Sequence, residues 1–439
     1  MEKPRQIALR VLLRRGEGEA YLEDLLAEEL DRSRVQGPDR GLVHEIACGV
    51  VRYQRTLDWL IDQRTDGRTQ PPAILNLLRM GLYQLLWLDR VPPHAAVHET
   101  VEMTKAMNLG PASGFVNAVL RGVLRDLEAV RLRLQVIEET DPDIRFSHPK
   151  WLFKRWENRW GRPQALALLR WNNQPPPIFA RANLLKGGAD LLEAAWTQEG
   201  VRFERREFPW TSPTPVYALL EHPPLHSLKS FASGGFYIQD PSTLLAVATL
   251  DPQPGETVLD LCAAPGGKTT LIAQRMENRG RIIAQDSHRA RLQRLRENCD
   301  RLGVSCVETS TRSGVSHPEL SLVFDRILVD APCSNTGVMR RRVDLRWRVS
   351  EGEISRLQQT QVDLLDDAAV QLKPGGTLVY STCSLEPEEN ETVVKRFLAT
   401  HSEFRCTQDT QLKPFEHGVD GAFVALLHRR HPSTSQNPH

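Results

Sequence analysis

Three short apolar runs in the second half of the chain constrain its fold most strongly, because each ends in small or reactive residues. Thr257-Val258-Leu259-Asp260-Leu261 opens into Cys262-Ala263-Ala264-Pro265-Gly266-Gly267-Lys268-Thr269. Phe324 to Val329 leads into Asp330-Ala331-Pro332-Cys333-Ser334, and Thr377 to Tyr380 leads into Thr382-Cys383-Ser384. Strands that alternate with helices belong to parallel α/β sheets, and such sheets bind ligands along the carboxyl edge of their strands. A glycine-rich turn after a strand makes a cofactor site, since bare backbone can approach a ligand closely. Two thiols at later strand ends then share that edge with the turn. The arrangement suits thiolate addition to an electrophilic ring beside a bound cofactor.

The alternation runs on from about residue 254. Arg281 to Asp286 reads as a second strand, Arg289 to Leu302 as a helix, and Ser305 to Glu308 as a third strand. A long helix is expected from Ser350, which has capping-box spacing to Glu353, and another just after Pro387. Phe423 to Leu427 reads as an edge strand. Upstream, residues 3 to 130 carry apolar residues at helical spacing, as in Ile74, Leu77, Leu78, Leu82 and Leu85, broken by Gly and Pro. A charged stretch, Arg125 to Asp143, is read as a link into a tryptophan-rich segment. Pro175-Pro176-Pro177 then turns stiffly into a small α+β module over 178 to about 240. At 439 residues the chain exceeds one ordinary core. The expected division is a helical domain over 1–135, a linker and small α+β subdomain over 136–240, an α/β domain over 241–430, and a disordered tail over 431–439.

A net charge of +1 means that any nucleic-acid contact must come from local basic patches. The 7 cysteines include no pair separated by two residues, which argues against a zinc ribbon or disulfide framework and fits a reducing cytosol. No signal peptide or membrane span is expected: the most apolar segment, Ile74 to Leu88, is interrupted by Asn76, Arg79 and Gln84. His94 and His98 are helically spaced but lack an acidic partner set, so no metal is expected.

The segment Cys262 to Thr269 comes within one residue of a P-loop, with Cys262 where the first glycine belongs, and Ile327 to Asp330 could pass for a Walker B strand. A nucleotide hydrolase leaves both Cys-Ser strand ends unexplained. Asp286, ending the second strand, is better suited to pair with ribose hydroxyls. A lone cysteine would read as a small buried hydrophobe; two at strand ends point to function.

Cys262-Ala-Ala-Pro-Gly-Gly-Lys268, Asp330-Ala-Pro-Cys-Ser334 and Ser381-Thr-Cys-Ser-Leu-Glu-Pro-Glu-Glu-Asn390 resemble the motifs of RNA cytosine-C5 methyltransferases. Gly49-Val-Val-Arg-Tyr53, Leu78-Arg-Met-Gly-Leu-Tyr-Gln-Leu85, Pro93-His-Ala-Ala-Val97 and Gly114-Phe-Val-Asn-Ala-Val-Leu-Arg121 resemble the NusB-like RNA-binding domain that one branch, the RsmB (Fmu/Sun) type, carries in front. The resemblance implies a multidomain protein: an all-α NusB-like bundle, a small α+β RNA-binding subdomain and a Rossmann-like methyltransferase domain. It implies S-adenosyl-L-methionine as cofactor, bound by Cys262, Ala263, Ala264, Pro265, Gly266, Gly267, Lys268, Asp286 and Asp330. A cytidine of 16S ribosomal RNA, free or in an early assembly intermediate, is the implied substrate of a cytoplasmic monomer.

Attack on C6 by a thiolate is needed because C5 of cytosine is a poor nucleophile. By resemblance Cys383 attacks and Cys333 assists release, while Asp330 meets the N3/N4 edge of a base drawn out of its stack. A DNA cytosine methyltransferase is the nearest rival, but there the Pro-Cys thiol attacks and an E-N-V triplet holds the base, where this chain has Glu388-Glu389-Asn390. Arg181 and Asn183 match an R-x-N element of the family's RNA-binding subdomain. Arg340, Arg341 and Arg342, with Arg346, Trp347 and Arg348, interleave basic and aromatic residues as RNA contacts do. Where the family has an acid after the third strand, this chain has Thr311.

Overall fold

The computed structural model describes residues 3–18, 20–311 and 324–431. The chain forms two compact units, one of residues 1–174 with 339–348, the other of 175–338 with 349–439. Arg312 and, beyond His431, the tail expected to be disordered lie outside the described residues.

The first unit is helical. Pro4, Pro72 and Pro93 open the helices Pro4–Glu17, Pro72–Trp87 and Pro93–Ala106, where a missing N–H costs nothing. Leu77, Leu78 and Leu82 are fully buried in one core with Ile7, Val11, Val43 and Ile46, so the most apolar segment is the centre of a bundle. The charged stretch from Arg125 is not a linker. It forms the helix Leu127–Thr140, which buries Val130 and Leu134 in that same core. Arg55 pairs with Asp143 at 2.8 Å, and Lys150–Trp160 and Arg162–Asn173 complete the unit. By packing, the two compact units part at the proline run, between Gln174 and Pro175. Scattered charges hid the two inward-facing residues.

Residues 339–348 also belong to this unit, which corrects the expected RNA face. Arg346 is fully buried and donates to the carbonyls of Arg52, Ser147 and Asn172 and to Asn173 Oδ1 at 2.8–3.2 Å. Arg340 is 2% exposed, its guanidinium 3.8 Å from the Trp171 ring centre. Asp344, also buried, accepts from Arg15 at 2.6 Å and Arg348 at 2.8 Å. Trp347 donates its indole N–H to Val51 O, and Val343 enters the helical core. Basic and aromatic residues interleave here because they anchor a strap.

The second unit begins with an antiparallel sheet of β1 (Ile178–Ala182), β2 (Arg202–Arg206), β3 (Val216–Glu221) and β4 (Phe236–Ile238), in the order β2-β3-β1-β4. Its core gathers Trp196, Tyr217 and Phe236. Next comes a larger sheet of β5 (Thr257–Leu261), β6 (Arg281–Gln285), β7 (Val307–Ser310), β8 (Phe324–Asp330), β9 (Leu372–Thr382), β10 (Phe404–Leu412) and β11 (Ala422–Arg429). The order is β10-β11-β9-β8-β5-β6-β7, with β9-β8-β5-β6-β7 parallel. Phe423 to Leu427 is not at the edge. β11 pairs antiparallel with both β9 and β10, and β10 takes the edge. The apolar Phe-Val-Ala-Leu-Leu run suits an interior strand, whereas β10 carries polar residues that water can meet.

Candidate active site

The parallel strands bring every expected chemical residue of the large sheet to one edge. β8 ends at Asp330 opposite Ser381 of β9, so the loops after them run side by side. Cys333 Sγ lies 3.3 Å from Cys383 Sγ, both thiols free. Cys383 donates to Asn335 Oδ1 at 3.0 Å, and Asn335 donates its amide to Cys333 O at 2.6 Å. Asn335 has a left-handed φ of 58°, a conformation asparagine tolerates. A Cβ on Gly337 would lie 2.7 Å from both Cys383 O and Gly421 Cα, so only glycine lets these loops close. The Cys383 hydrogen bond and then burial hold the Cys333 thiol well above its ordinary range. Cys333 is buried, whereas Cys383 is partly exposed.

Beside the thiols, Lys268 pairs with Asp330 at 2.6 Å. Although burial opposes its charge, Asp330 outweighs it and raises the Lys268 pKa, with Cys383 adding in the same direction. Ser381 donates to the other Asp330 oxygen at 3.3 Å. Asp286 is nearly buried and accepts from the backbone N–H of Ala264 and of His288, at 3.3 and 3.0 Å. Cys262 has a φ of 61° and burial pushes its thiol up to about 12, so it is a turn residue and no nucleophile. Gly266, with φ 103°, lies where a Cβ would meet Leu295 at 2.9 Å. That glycine is required by close packing of the following helix as well as by any ligand.

These residues fit the cofactor. Asp260, Asp286 and Asp330 gather at the strand ends, where Lys268 pairs with Asp330 and Arg291 lies 3.4 Å from Asp286, while Asp330 and Asp286 both oppose ionisation of Asp260. Asp260 is fully buried; one oxygen accepts from Thr269 at 2.6 Å and the other finds no hydrogen-bond partner among the described residues. An acid-rich cradle with one unpartnered carboxylate oxygen suits a ligand with cationic groups and ribose hydroxyls. It also disposes of the P-loop: the Thr269 hydroxyl is committed to Asp260 and Lys268 to Asp330, leaving neither for magnesium and phosphate.

Arg181 and Asn183, expected at an RNA surface, are both buried. Arg181 is fully buried and donates to Gln239 and Thr270 at 2.8 Å and to Gly267 O at 3.2 Å. Asn183 donates to Gly234 O and Leu302 O, both at 2.8 Å. Arg181 braces the small sheet against the glycine-rich helix start, and Asn183 ties it to the end of the helix Arg289–Leu302. Burial drives Arg181 down to about 9, still charged at neutral pH. Of the residues expected to touch RNA, Arg181, Asn183, Arg340 and Arg346 are buried, whereas Arg341, Arg342, Trp347 and Arg348 keep partial exposure. Sequence reasoning passed over Asn335, Asp260 and Glu389. Asn335 was signalled only by its place two residues after Cys333. Among the described residues no cluster of potential metal ligands occurs, and no helix is long and apolar enough to cross a membrane.

Residues 247–432 match the family model for 16S rRNA methyltransferase RsmB/F, residues 2–125 that of the NusB family, and 148–210 the ferredoxin-like domain of RsmF/B-like methyltransferases. The probable ribosomal RNA small subunit methyltransferase B of Synechocystis is 37% identical, the match covering 97% of this chain and 99% of that protein. The chain belongs to the RsmB/F methyltransferase family. The ribosomal RNA small subunit methyltransferase B of Klebsiella pneumoniae is likewise 37% identical, over 91% of this chain and 92% of that one. Among solved structures, PH0851 superposes with a TM-score of 0.79 at 26% identity, covering 98% of this chain and 99% of its own. A methyltransferase homolog from Pyrococcus horikoshii gives 0.59 at 33% identity, over 66% and 98%. The RsmB/F architecture of NusB domain, ferredoxin-like subdomain and methyltransferase domain is thus present, and S-adenosylmethionine is the family's methyl donor.

Proposed function

We propose that this RsmB/F methyltransferase modifies C5 of one cytidine in 16S ribosomal RNA, through a covalent bond between Cys383 and C6. The relatives' names supply the RNA. The observation that carries the chemistry is the pair of free thiols 3.3 Å apart at the ends of adjacent parallel strands.

The two thiols differ as the reaction requires. Cys383 is the more accessible and Lys268 places a positive charge toward which its thiolate is drawn. Its sulfur bonds to C6, and the C5–C6 π electrons move toward the ring edge, where Asp330 and Lys268 can hold N3 and N4. S-adenosylmethionine, when bound, supplies an electrophilic methyl group to the activated C5. The C5 proton must then leave and the C6–S bond break. Cys333, buried and holding its proton, can pass that proton to the departing Cys383 sulfur and accept the one from C5. Gly266, Gly267 and Asp286 would hold the cofactor, Asp286 by its ribose. The DNA-enzyme order, with Cys333 attacking, is disfavoured because that thiol is buried behind Cys383's hydrogen bond.

The test separates the cysteines. With 16S RNA, freed of protein or in an early assembly intermediate, Cys383→Ala should abolish both methylation and any covalent adduct. Cys333→Ala should accumulate a methyl-labelled protein–RNA species that survives denaturing gel electrophoresis. The reverse pattern would exchange the roles; methylation by both variants without adducts would end the covalent reading.

A further inference from the structure

One buried acid near the thiols has no part in these steps. Glu389, 0% exposed, lies in the turn after β9. Its Oε1 accepts from the Ser334 backbone N–H at 2.8 Å and from Gln361 at 3.2 Å. Its Oε2 accepts from the hydroxyls of Ser334 and of Ser384, the latter at 2.5 Å. Ser334 directly follows Cys333 and Ser384 directly follows Cys383. One carboxylate therefore fastens the residue after each thiol. Tyr380 fixes Glu389 in turn, donating to its carbonyl at 2.5 Å, and Gln361 also holds Pro332 O, just before Cys333. The expected helix after Pro387 starts only at Glu391, because Glu389 and Asn390 are committed to this turn.

From this geometry we propose that Glu389 is a positioning residue that sets the distance between the two reacting thiols by clamping Ser334 and Ser384. It deepens the two-thiol reading above and rests on it. The carboxylate has no hydrogen bond to either sulfur, and four donors occupy its oxygens. No group is left to it for proton transfer. Burial raises its pKa, yet the hydroxyl and amide donors oppose that shift and favour the acceptor form.

A glutamine can serve in its place: its carbonyl accepts from the Ser334 N–H and Gln361, and its amide donates to two hydroxyls that can turn to accept. A role in positioning predicts rescue by Glu389→Gln; a role needing the charge does not. The full-length protein and its variants would be titrated with phenylarsine oxide, a trivalent arsenical that bridges two adjacent thiols and needs neither RNA nor cofactor. Cys333→Ala and Cys383→Ala define the background from the other cysteines. Glu389→Ala, which leaves buried donors unanswered, should weaken bridging about tenfold or more and raise the adduct fraction on RNA, as Cys333→Ala does. Glu389→Gln should stay within about threefold of the parent in both readouts. Ser334→Ala and Ser384→Ala each remove one hydroxyl of the clamp and should lie between, which keeps the test decisive if Glu389→Ala fails to fold. Parent-like bridging and adduct turnover in Glu389→Ala, or in both serine variants should Glu389→Ala not fold, would overturn the proposal, as would a Glu389→Gln as impaired as the alanine. Failure of the two-thiol reading looks different: Cys333→Ala itself would form no adduct, whatever the arsenical reports.

Discussion

Asp260 offers a sharp pH experiment. It is fully buried in β5, and burial, reinforced by Asp330 and Asp286 against Thr269 and Lys268, pushes its carboxyl from 3.8 up to about 7. The folded protein then binds this proton more tightly than the unfolded chain. The resulting stability is fully present below about pH 4 and is lost as pH rises through about 7. At 1.36 kcal/mol for each pH unit of displacement, the contribution is about 4 kcal/mol at most. Asp260→Asn keeps an oxygen to accept from Thr269 and removes the charge. The variant should match the parent near pH 4 and grow steadily more stable relative to it up to about pH 7, after which the gap stays constant. Urea unfolding of the second unit at a series of pH values, without cofactor, measures the gap. A difference independent of pH would refute the argument, because then Asp260 does not change its protonation on folding.

Arg346→Ala should destabilise the helical unit by about 3–5 kcal/mol in urea unfolding, since it strands buried carbonyls that the guanidinium now satisfies; Arg346→Met should cost less. Asp286→Ala should lower S-adenosylmethionine affinity about tenfold or more by calorimetry, through loss of charge-assisted hydrogen bonds and of the turn that it pins. Thr311→Asp, restoring an acid just beyond β7, should tighten that binding roughly threefold or more. A chain beginning at Asp141 would lose Arg52, Val51 and Arg15 as partners of the strap, so it should melt well below the full-length protein rather than merely bind RNA less well.

Periodicity and turn chemistry made the elements legible. Arg289 to Leu302 forms the helix its pattern predicts, Asp330 and Thr382 end the strands whose apolar runs lead into them, and Ser350 caps its helix through Glu353 N–H. Residues that converge because parallel strands share one carboxyl edge could be named without coordinates. Burial could not: Arg181, Asn183 and Arg340 look like RNA contacts in sequence, and a guanidinium ringed by carbonyls or laid on an indole is written with the same letters as one on a phosphate. The clamping role of Glu389 was hidden for a related reason. Its meaning depends on two serines 55 and 5 residues away that meet only when β8 and β9 pair.

The strap of residues 339–348 makes the order of synthesis matter. The first 174 residues leave the ribosome well before Val343, Asp344 and Arg346, which complete their packing. Domains ordinarily close one after another as they emerge, but this bundle must wait with an open slot until more than a hundred further residues have been made. A fragment ending at Gln174 carries that vacancy permanently. A synthetic decapeptide spanning Met339 to Arg348, added from outside, should bind and stabilise it, turning an intramolecular fastening into a two-piece complementation system.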